Sequence, residues 1–384
     1  MSAPALALST EQQRWLGALG LAGIIAFAVG LATSPIRAWT SYLVSAFYFL
    51  TLALGGLVLL ALLHLAKAGW SVVIKRVAEG LTGYLPMGAA TMGVLLLGVS
   101  TLYSWAGHGA GAHGGKGGYL SPGFFALRMA AALGLWLLFA ALLRRASAAQ
   151  DGDRSPKHTG KSVALSAGFL LTFAYSFSMA SFDWLMSVEP HWSSTIFALY
   201  SMSGLLTAGL AATLVLTILL RRSGALPEVN ENHLHDLGKL LFGMCTFWAY
   251  LWISQYLLIW YANIPEEVAY YLARTQKGWS FLFYVNLVVN WLVPFLSLLP
   301  RKAKRSETQL LRVAGLLLLG RWLDVYLMVA PASQPEHAGV GLLEVLMFLG
   351  FTALFIPVVL RALKGRPLIA RGDPYLVESL HHHQ

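Results

Sequence analysis

Ten stretches of this chain are apolar over about twenty residues or more, at 15–33, 41–64, 81–104, 122–143, 162–186, 192–220, 237–262, 278–300, 308–330 and 340–362. A helix needs about twenty mainly apolar residues to cross a bilayer, so each stretch predicts one transmembrane span. The connections, longest at 107–118, 146–160 and 223–235, are too short for a soluble domain. The pattern predicts an all-α integral membrane protein, one polytopic domain over 1–384. Spans 2–5 and 6–9 share no legible motif, and no broken helix is evident at the midplane. The neutral start Met1–Arg14 lacks a small-residue cleavage site, so the first span reads as a retained helix rather than a signal peptide.

Composition agrees: 57% of residues are hydrophobic and 11% are charged, against about 25% charged in soluble proteins. The net charge of +10 raises nucleic acid as a partner only until the positions are read. Of 27 Lys and Arg residues, twenty-one fall on the side of the two termini and four (Arg37, Lys116, Arg274, Lys277) on the other, with Arg128 and Arg321 inside spans. The positive-inside rule then places both termini in the cytoplasm.

Five charges interrupt the apolar stretches: Arg128, Asp183, Arg321, Asp324 and Glu344. A charge in hydrocarbon is costly, so it faces a protein interior, pairs, or marks a path for protons or substrate. At 1.5 Å per residue, Asp183 and Arg128 lie about 9 Å below the outer surface, Asp324 about 10 Å, Glu344 about 6 Å and Arg321 about 15 Å. Arg321 and Asp324 are three apart, share a helix face and are expected to pair. Asp183 and Glu344 have no charged neighbour in their own spans and need another helix, a proton or a water-filled cavity. Three acids against two arginines leave one carboxyl in excess if all five share one cluster, which favours a bound proton. Asp183 and Glu344 are the expected proton carriers, and Arg321–Asp324 the expected structural pair.

At the outer edge, SFDWLMSVEPHW brings Asp183, Glu189 and His191 together between spans 5 and 6. A carboxylate beside a histidine suits acceptance of protons from a quinol, and equally the capping of the next helix. His64, near the cytoplasmic end of span 2, is either a proton entry point or a histidine reaching for the interface. Aromatic residues at span ends (Trp15, Trp39, Trp70, Trp105, Trp184, Trp192, Trp260, Tyr261, Trp279) read as an interfacial belt. The loop GHGAGAHGGKGG, with His108 and His113, offers metal ligands without preset geometry and reads as disordered or partner-covered. The terminal HHHQ reads as a solvated tail. One cysteine, Cys245, excludes thiolate-ligated iron–sulfur clusters in this chain. Buried histidine pairs for haem are also missing, so no redox cofactor is expected.

HLHDLGKLLFGMCTFWAYLWISQYLLIWYANIPEE (His233–Glu267), FDWLMSVEPHWSSTIFALY (Phe182–Tyr200) and KGGYLSPGFFALR (Lys116–Arg128) together resemble the F-type membrane subunits of bacterial alternative complex III. These belong to the polysulfide-reductase-like (NrfD-like) superfamily, and the matches cover about residues 116–274. The resemblance implies two four-helix bundles (about 41–186 and 192–330) flanked by helices at about 15–33 and 340–362. It implies a cofactor-free subunit of a quinol:cytochrome c, or other electron-acceptor, oxidoreductase in the bacterial cytoplasmic membrane. Iron–sulfur clusters and c-type haems would sit in partner subunits, and quinol oxidation in a sister NrfD-like subunit. Membrane lipids and a terminal oxidase are further implied partners, with a quinone or lipid as the ligand in this chain. Asp183, Glu344, Asp324, Arg321, Arg128 and His64 would then contribute a proton pathway, and Asp183, Glu189 and His191 an outer quinone site. The alternative is a stand-alone proton-coupled secondary transporter using the same carboxylates.

Overall fold

The computed structural model describes residues 8–107, 118–276 and 278–383. The loop with His108, His113 and Lys116, and Lys277, lie outside them. Among the described residues there are helices and no strands. Ten helices among these residues are long and apolar enough to cross a membrane: α1 (Thr10–Thr33), α2 (Pro35–Leu65), α3 (Gly69–Leu102), α4 (Pro122–Asp153), α5 (Lys157–Val188), α6 (Phe197–Arg222), α7 (Glu231–Ala262), α8 (Ser280–Leu298), α9 (Glu307–Ser333) and α10 (Leu342–Lys364). The chain is a multi-pass membrane protein.

Local chemistry sets the ends. The Ser9 hydroxyl accepts from the Gln12 amide while the Gln12 side chain accepts from the Ser9 amide, a reciprocal cap that starts α1. Asn230 caps α7 by accepting from the amides of Asn232 and His233. Prolines open α2 and α4, where a missing N–H costs nothing. Arg154 and Asn263 end α4 and α7 in the left-handed region, at φ 56° and 49°.

Burial separates core helices from peripheral ones. In α2 the most apolar window is 94% buried, against 11% in α1. Both windows are apolar enough for lipid, so the difference lies in packing, and α2 is surrounded by other helices. It packs against α3, α5, α6, α9 and α10, while α6 packs against α5, α7 and α9. Adjacent helices from α2 to α5 touch in turn and α5 returns to α2; α6 to α9 close in the same way, and α1 lies along α10. Glycines permit the closest crossings. A Cβ on Gly55 would stand 2.7 Å from the Gly209 Cα, and one on Gly23 2.8 Å from the Gly350 Cα.

Four expectations change. The third span starts at Gly69, twelve residues before the expected 81, and buries Lys75, Arg76 and Glu79. Each finds a partner remote in sequence: Lys75 meets Asp373 at 2.9 Å, Arg76 meets Asp151 at 2.5 Å, and Glu79 meets Arg366 at 2.7 Å. Such charges look like a loop locally because their neutralising partners lie on other segments. The C-terminal histidines are likewise not a free tail. His382 sits 2.7 Å from Asp236, and the Ser379 hydroxyl donates to the Trp70 carbonyl, so residues beyond α10 strap the starts of α3 and α7.

The aromatic belt is also smaller than expected. Trp15, Trp260 and Tyr261 are exposed, but Trp39, Trp105, Trp184, Trp192 and Trp279 are buried. Three of the buried indoles tie down connections, donating to the carbonyls of Ser187, Glu267 and Pro335. Finally, two spans are interrupted. In α3 the helix tightens to 3-10 turns at Thr82–Tyr84 and Leu95–Gly98, and in α8 it widens to a π turn at Val288–Leu292. The π turn ends two residues before Pro294, which lacks the amide a regular helix would use there.

The Gly55–Gly209 crossing yields a test. Gly209→Ala should destabilise the purified protein by about 1–3 kcal/mol through overpacking, read as a lowered melting temperature in detergent. Gly243→Ala, with open space at its Cβ position, should leave the melting temperature unchanged.

Candidate functional site

The buried charges resolve into separate pairs between or within helices. Asp183 on α5 receives two hydrogen bonds from Arg128 on α4, at 2.6 and 3.0 Å. Arg128 also donates to the Tyr119 carbonyl and stacks over the Tyr119 ring. Glu344 lies in the first turn of α10 and receives two hydrogen bonds from Arg37 on α2, at 2.7 and 2.8 Å. Ser41 and the Gly341 amide also donate to Glu344. Glu189 faces Arg274 at 3.3 Å, and Arg321 faces Asp324 at 3.4 Å. Arg37 and Arg274, counted in the sequence as outer-surface charges, therefore supply cations that a tally of span residues omits. The expected excess of one acid becomes four acids against four arginines.

Bidentate pairing saturates Asp183 and Glu344 in a way that suits anchoring. The expected outer-edge group is also divided, since Asp183 turns to Arg128 and Glu189 to Arg274. His191 is exposed in the turn between α5 and α6. His64 is half-buried, with Nδ1 3.1 Å from the Ser166 hydroxyl, far in sequence and partners from the other candidates.

Asp324 is different, because its surroundings are polar, crowded with donors and flanked by space. One carboxylate oxygen accepts from the Tyr200 hydroxyl and from Asn286 Nδ2, the latter at 2.8 Å; the other accepts from Trp248 Nε1 at 3.2 Å. These donors come from α6, α8 and α7, so the carboxylate on α9 ties four helices together. Arg321 donates from Nε to Asn290 Oδ1 at 2.6 Å and lies 4.0 Å over the Trp248 ring. Its two terminal nitrogens have no hydrogen-bond partner, although both are buried. The 3.4 Å approach to Asp324 is thus an ion pair whose N–H is not aimed at the oxygen.

The local sequence builds this site. Asn286 and Asn290 sit four apart on α8, and the π turn carries Asn290, whose amide donates to the carbonyls of Asn286 and Gly320. Gly320 and Gly204 leave the room. A Cβ on Gly320 would stand 2.6 Å from Asn290 Oδ1, and one on Gly204 3.3 Å from an Arg321 nitrogen.

Two small cavities meet at Asp324. The outer one, about 20 Å³, reaches from Asp324 past Gln255 and Tyr271 to Arg274 and holds one water-sized sphere. The inner one, about 10 Å³, lies beside Arg321 and runs to Thr51, Ser201 and Ala208. Arg274 closes the outer end. It is buried and donates to the carbonyls of Leu327 and Met328 at 2.8 Å each. Pro331 removes the amide that would otherwise occupy the Leu327 carbonyl, which leaves that oxygen for Arg274. Arg274 also lies 3.3 Å over the Tyr270 ring, and burial pushes the Tyr270 phenol up to about 12. Asp324, Arg321 and Arg274, with Glu189 paired to the last, thus form one polar column along two cavities that adjoin at Asp324.

Sequence reasoning named Asp324, Arg321 and Glu189 but missed Tyr200, Trp248, Asn286, Asn290 and Arg274. The asparagine pair inside an apolar span was the available signal. For metals, no group of three or more His, Cys, Asp or Glu side chains is gathered among the described residues, and Cys245 is buried.

Because Asp324 balances a buried guanidinium, Asp324→Leu should cost about 3–5 kcal/mol of stability, whereas Arg321→Met with Asp324→Leu should cost less than that single change. Thermal unfolding in detergent measures both. A double variant no better than Asp324→Leu would show that the pair does not set the cost.

Compared with known proteins, the chain matches no family and no curated sequence.

Proposed function

We propose that this chain is a membrane subunit of a quinol-oxidising respiratory complex and carries a proton half-path ending at Asp324. The observation behind the proton path is the buried Arg321–Asp324 pair, with a cavity on each side and two guanidinium nitrogens lacking partners. The setting rests on the sequence resemblance described above. In that setting the contacts among α2–α5 and α6–α9 read as two four-helix bundles, with α1 and α10 flanking. The basic-rich end faces the cytoplasm of a bacterium, and iron–sulfur clusters, c-type haems and quinol chemistry belong to partner subunits.

The path works through this chain's own groups. A proton arriving from the outer edge meets Glu189, whose carboxylate is held by Arg274 at the mouth of the outer cavity. One water in that cavity bridges towards Asp324. There the Tyr200 hydroxyl and Asn286 amide hold the carboxylate, with the Arg321 guanidinium beside it. Protonation of Asp324 would release Arg321 from its counter-ion, and its guanidinium would then swing into the inner cavity towards Thr51 and Ser201. The Asp183 and Glu344 pairs fasten α4 to α5 and α2 to α10 around this path.

Electron transfer and proton movement are expected to separate in one variant. Asp324→Asn in the intact complex should lower proton translocation several-fold while quinol oxidation stays near the wild-type rate; Asp183→Asn and Glu344→Gln should affect assembly yield more than the proton-to-electron ratio. Equal loss of both activities in Asp324→Asn, or loss of neither, overturns the path.

One observation favours a second reading. Interrupted α3 and α8 are the kind of discontinuous spans from which secondary transporters build substrate sites. A stand-alone proton-coupled transporter would purify as a colourless single polypeptide. The respiratory reading expects a haem-coloured multisubunit assembly.

A further inference from the structure

A cavity far larger than those at Asp324 lies away from that column. About 790 Å³ opens along the seam between α1 and α10, within the roughly 300–1,000 Å³ range of ligand pockets. The helices touch where Gly23 meets Gly350. Towards the basic-rich end the seam loosens: Gly20 has only the Ala353 methyl, 4.0 Å from its Cβ position, and Gly17 has nothing within 4 Å. Between Gln13 and Phe27 the α1 wall runs about 21 Å, longer than one leaflet, about half of a 30 Å hydrocarbon core.

Polarity is distributed unevenly along this groove. At its deep end the hydroxyls of Tyr42 and Thr91 donate to the carbonyls of Thr91 and Gly88, at 2.9 Å each, so neither donor is left for a ligand. A quinone head, which needs donors for its carbonyls, finds a poor match there, whereas a hydrocarbon tail does not need them. At the other end the groove is lined by Arg361 and Lys364, in the last turn of α10. Both are exposed, and among the described residues no acidic side chain forms an ion pair with either. Their neighbour Arg366 differs, being engaged by Glu79 at 2.7 Å. Two unneutralised cations above an apolar slot complement a single anionic headgroup with a long tail.

We infer that the α1–α10 groove binds an anionic phospholipid, its phosphate on Arg361 and Lys364 and one acyl chain running past Gly17 and Gly20 to Phe27. Basic pockets between helices recognise anionic headgroups in this way, and each basic side chain contributes on the order of a factor of five in affinity. The lipid fills the space left open on the Gly17 side of the Gly23–Gly350 crossing. This site is independent of the proton path and of the identity of any partner subunit.

The full chain, purified in detergent and titrated with phosphatidylglycerol or phosphatidylcholine, tests this by native mass spectrometry. Wild type should bind phosphatidylglycerol about 30-fold more tightly than phosphatidylcholine, the combined effect of two cations. Arg361→Ala with Lys364→Ala should bring phosphatidylglycerol down to the phosphatidylcholine level with an unchanged melting temperature, because both side chains are exposed. Gly17→Leu should weaken both lipids by obstructing the tail while keeping the preference between them. Equal binding of the two lipids by wild type overturns the proposal, as does binding unaffected by either variant. Loss of co-purified quinone rather than phosphatidylglycerol in Gly17→Leu would identify a quinone groove instead. Failure of the assembled protein to retain added phosphatidylglycerol would mean that another helix covers the seam, and also overturns the proposal.

Discussion

A charge placed among ten apolar helices must be neutralised by another charge, and this requirement arranges much of the molecule. Arg37 with Glu344 joins α2 to α10, Arg128 with Asp183 joins α4 to α5, and Arg274 with Glu189 ties the short helix Pro265–Thr275 to the turn after α5. At the opposite end, Lys75, Arg76 and Glu79 fix the start of α3 to the end of α4 and to the segment beyond α10. Between helices in lipid there is little hydrophobic drive for association, so close packing and polar contacts carry the specificity. The glycine crossings provide the packing and the ion pairs provide the register.

Within that framework the pairs are not equivalent. Glu344 and Asp183 are held by aligned, two-pronged arginine contacts and added donors, which leaves them little freedom. The Arg321–Asp324 pair is misaligned, bordered by cavities and surrounded by residues that hold a carboxylate without neutralising it. A structural pair gains from perfect alignment; a proton site needs an alternative arrangement within reach. The proposed reading therefore puts the proton site at Arg321–Asp324, the pair that counting charges along the helices marks as structural.

Backbone irregularity concentrates at the same place. The π turn of α8 delivers Asn290 to Arg321, Pro331 frees a carbonyl for Arg274, and Gly320 and Gly204 leave the volume that the pair and its amide partners occupy. Departures from regular helix geometry are costly unless other contacts compensate, and here they position polar groups around one carboxylate. The α1–α10 seam follows a different logic. Its glycines leave space that no described residue fills, and its two cations lie at one end.

How much of this was legible depended on how local the cause is. Apolar runs of about twenty residues determine transmembrane helices by themselves, because hydrocarbon leaves the backbone no other way to satisfy its hydrogen bonds. The i, i+3 spacing of Arg321 and Asp324 likewise fixes a shared face. Pairing across helices carries no such local mark. Lys75, Arg76 and Glu79 looked like a loop, Arg37 and Arg274 looked like surface charges, and five tryptophans looked interfacial, because their partners are tens to hundreds of residues away. Which carboxylate is anchored and which has room to move was decided only by tertiary structure, since alignment, cavities and missing partners exist only once the helices are packed.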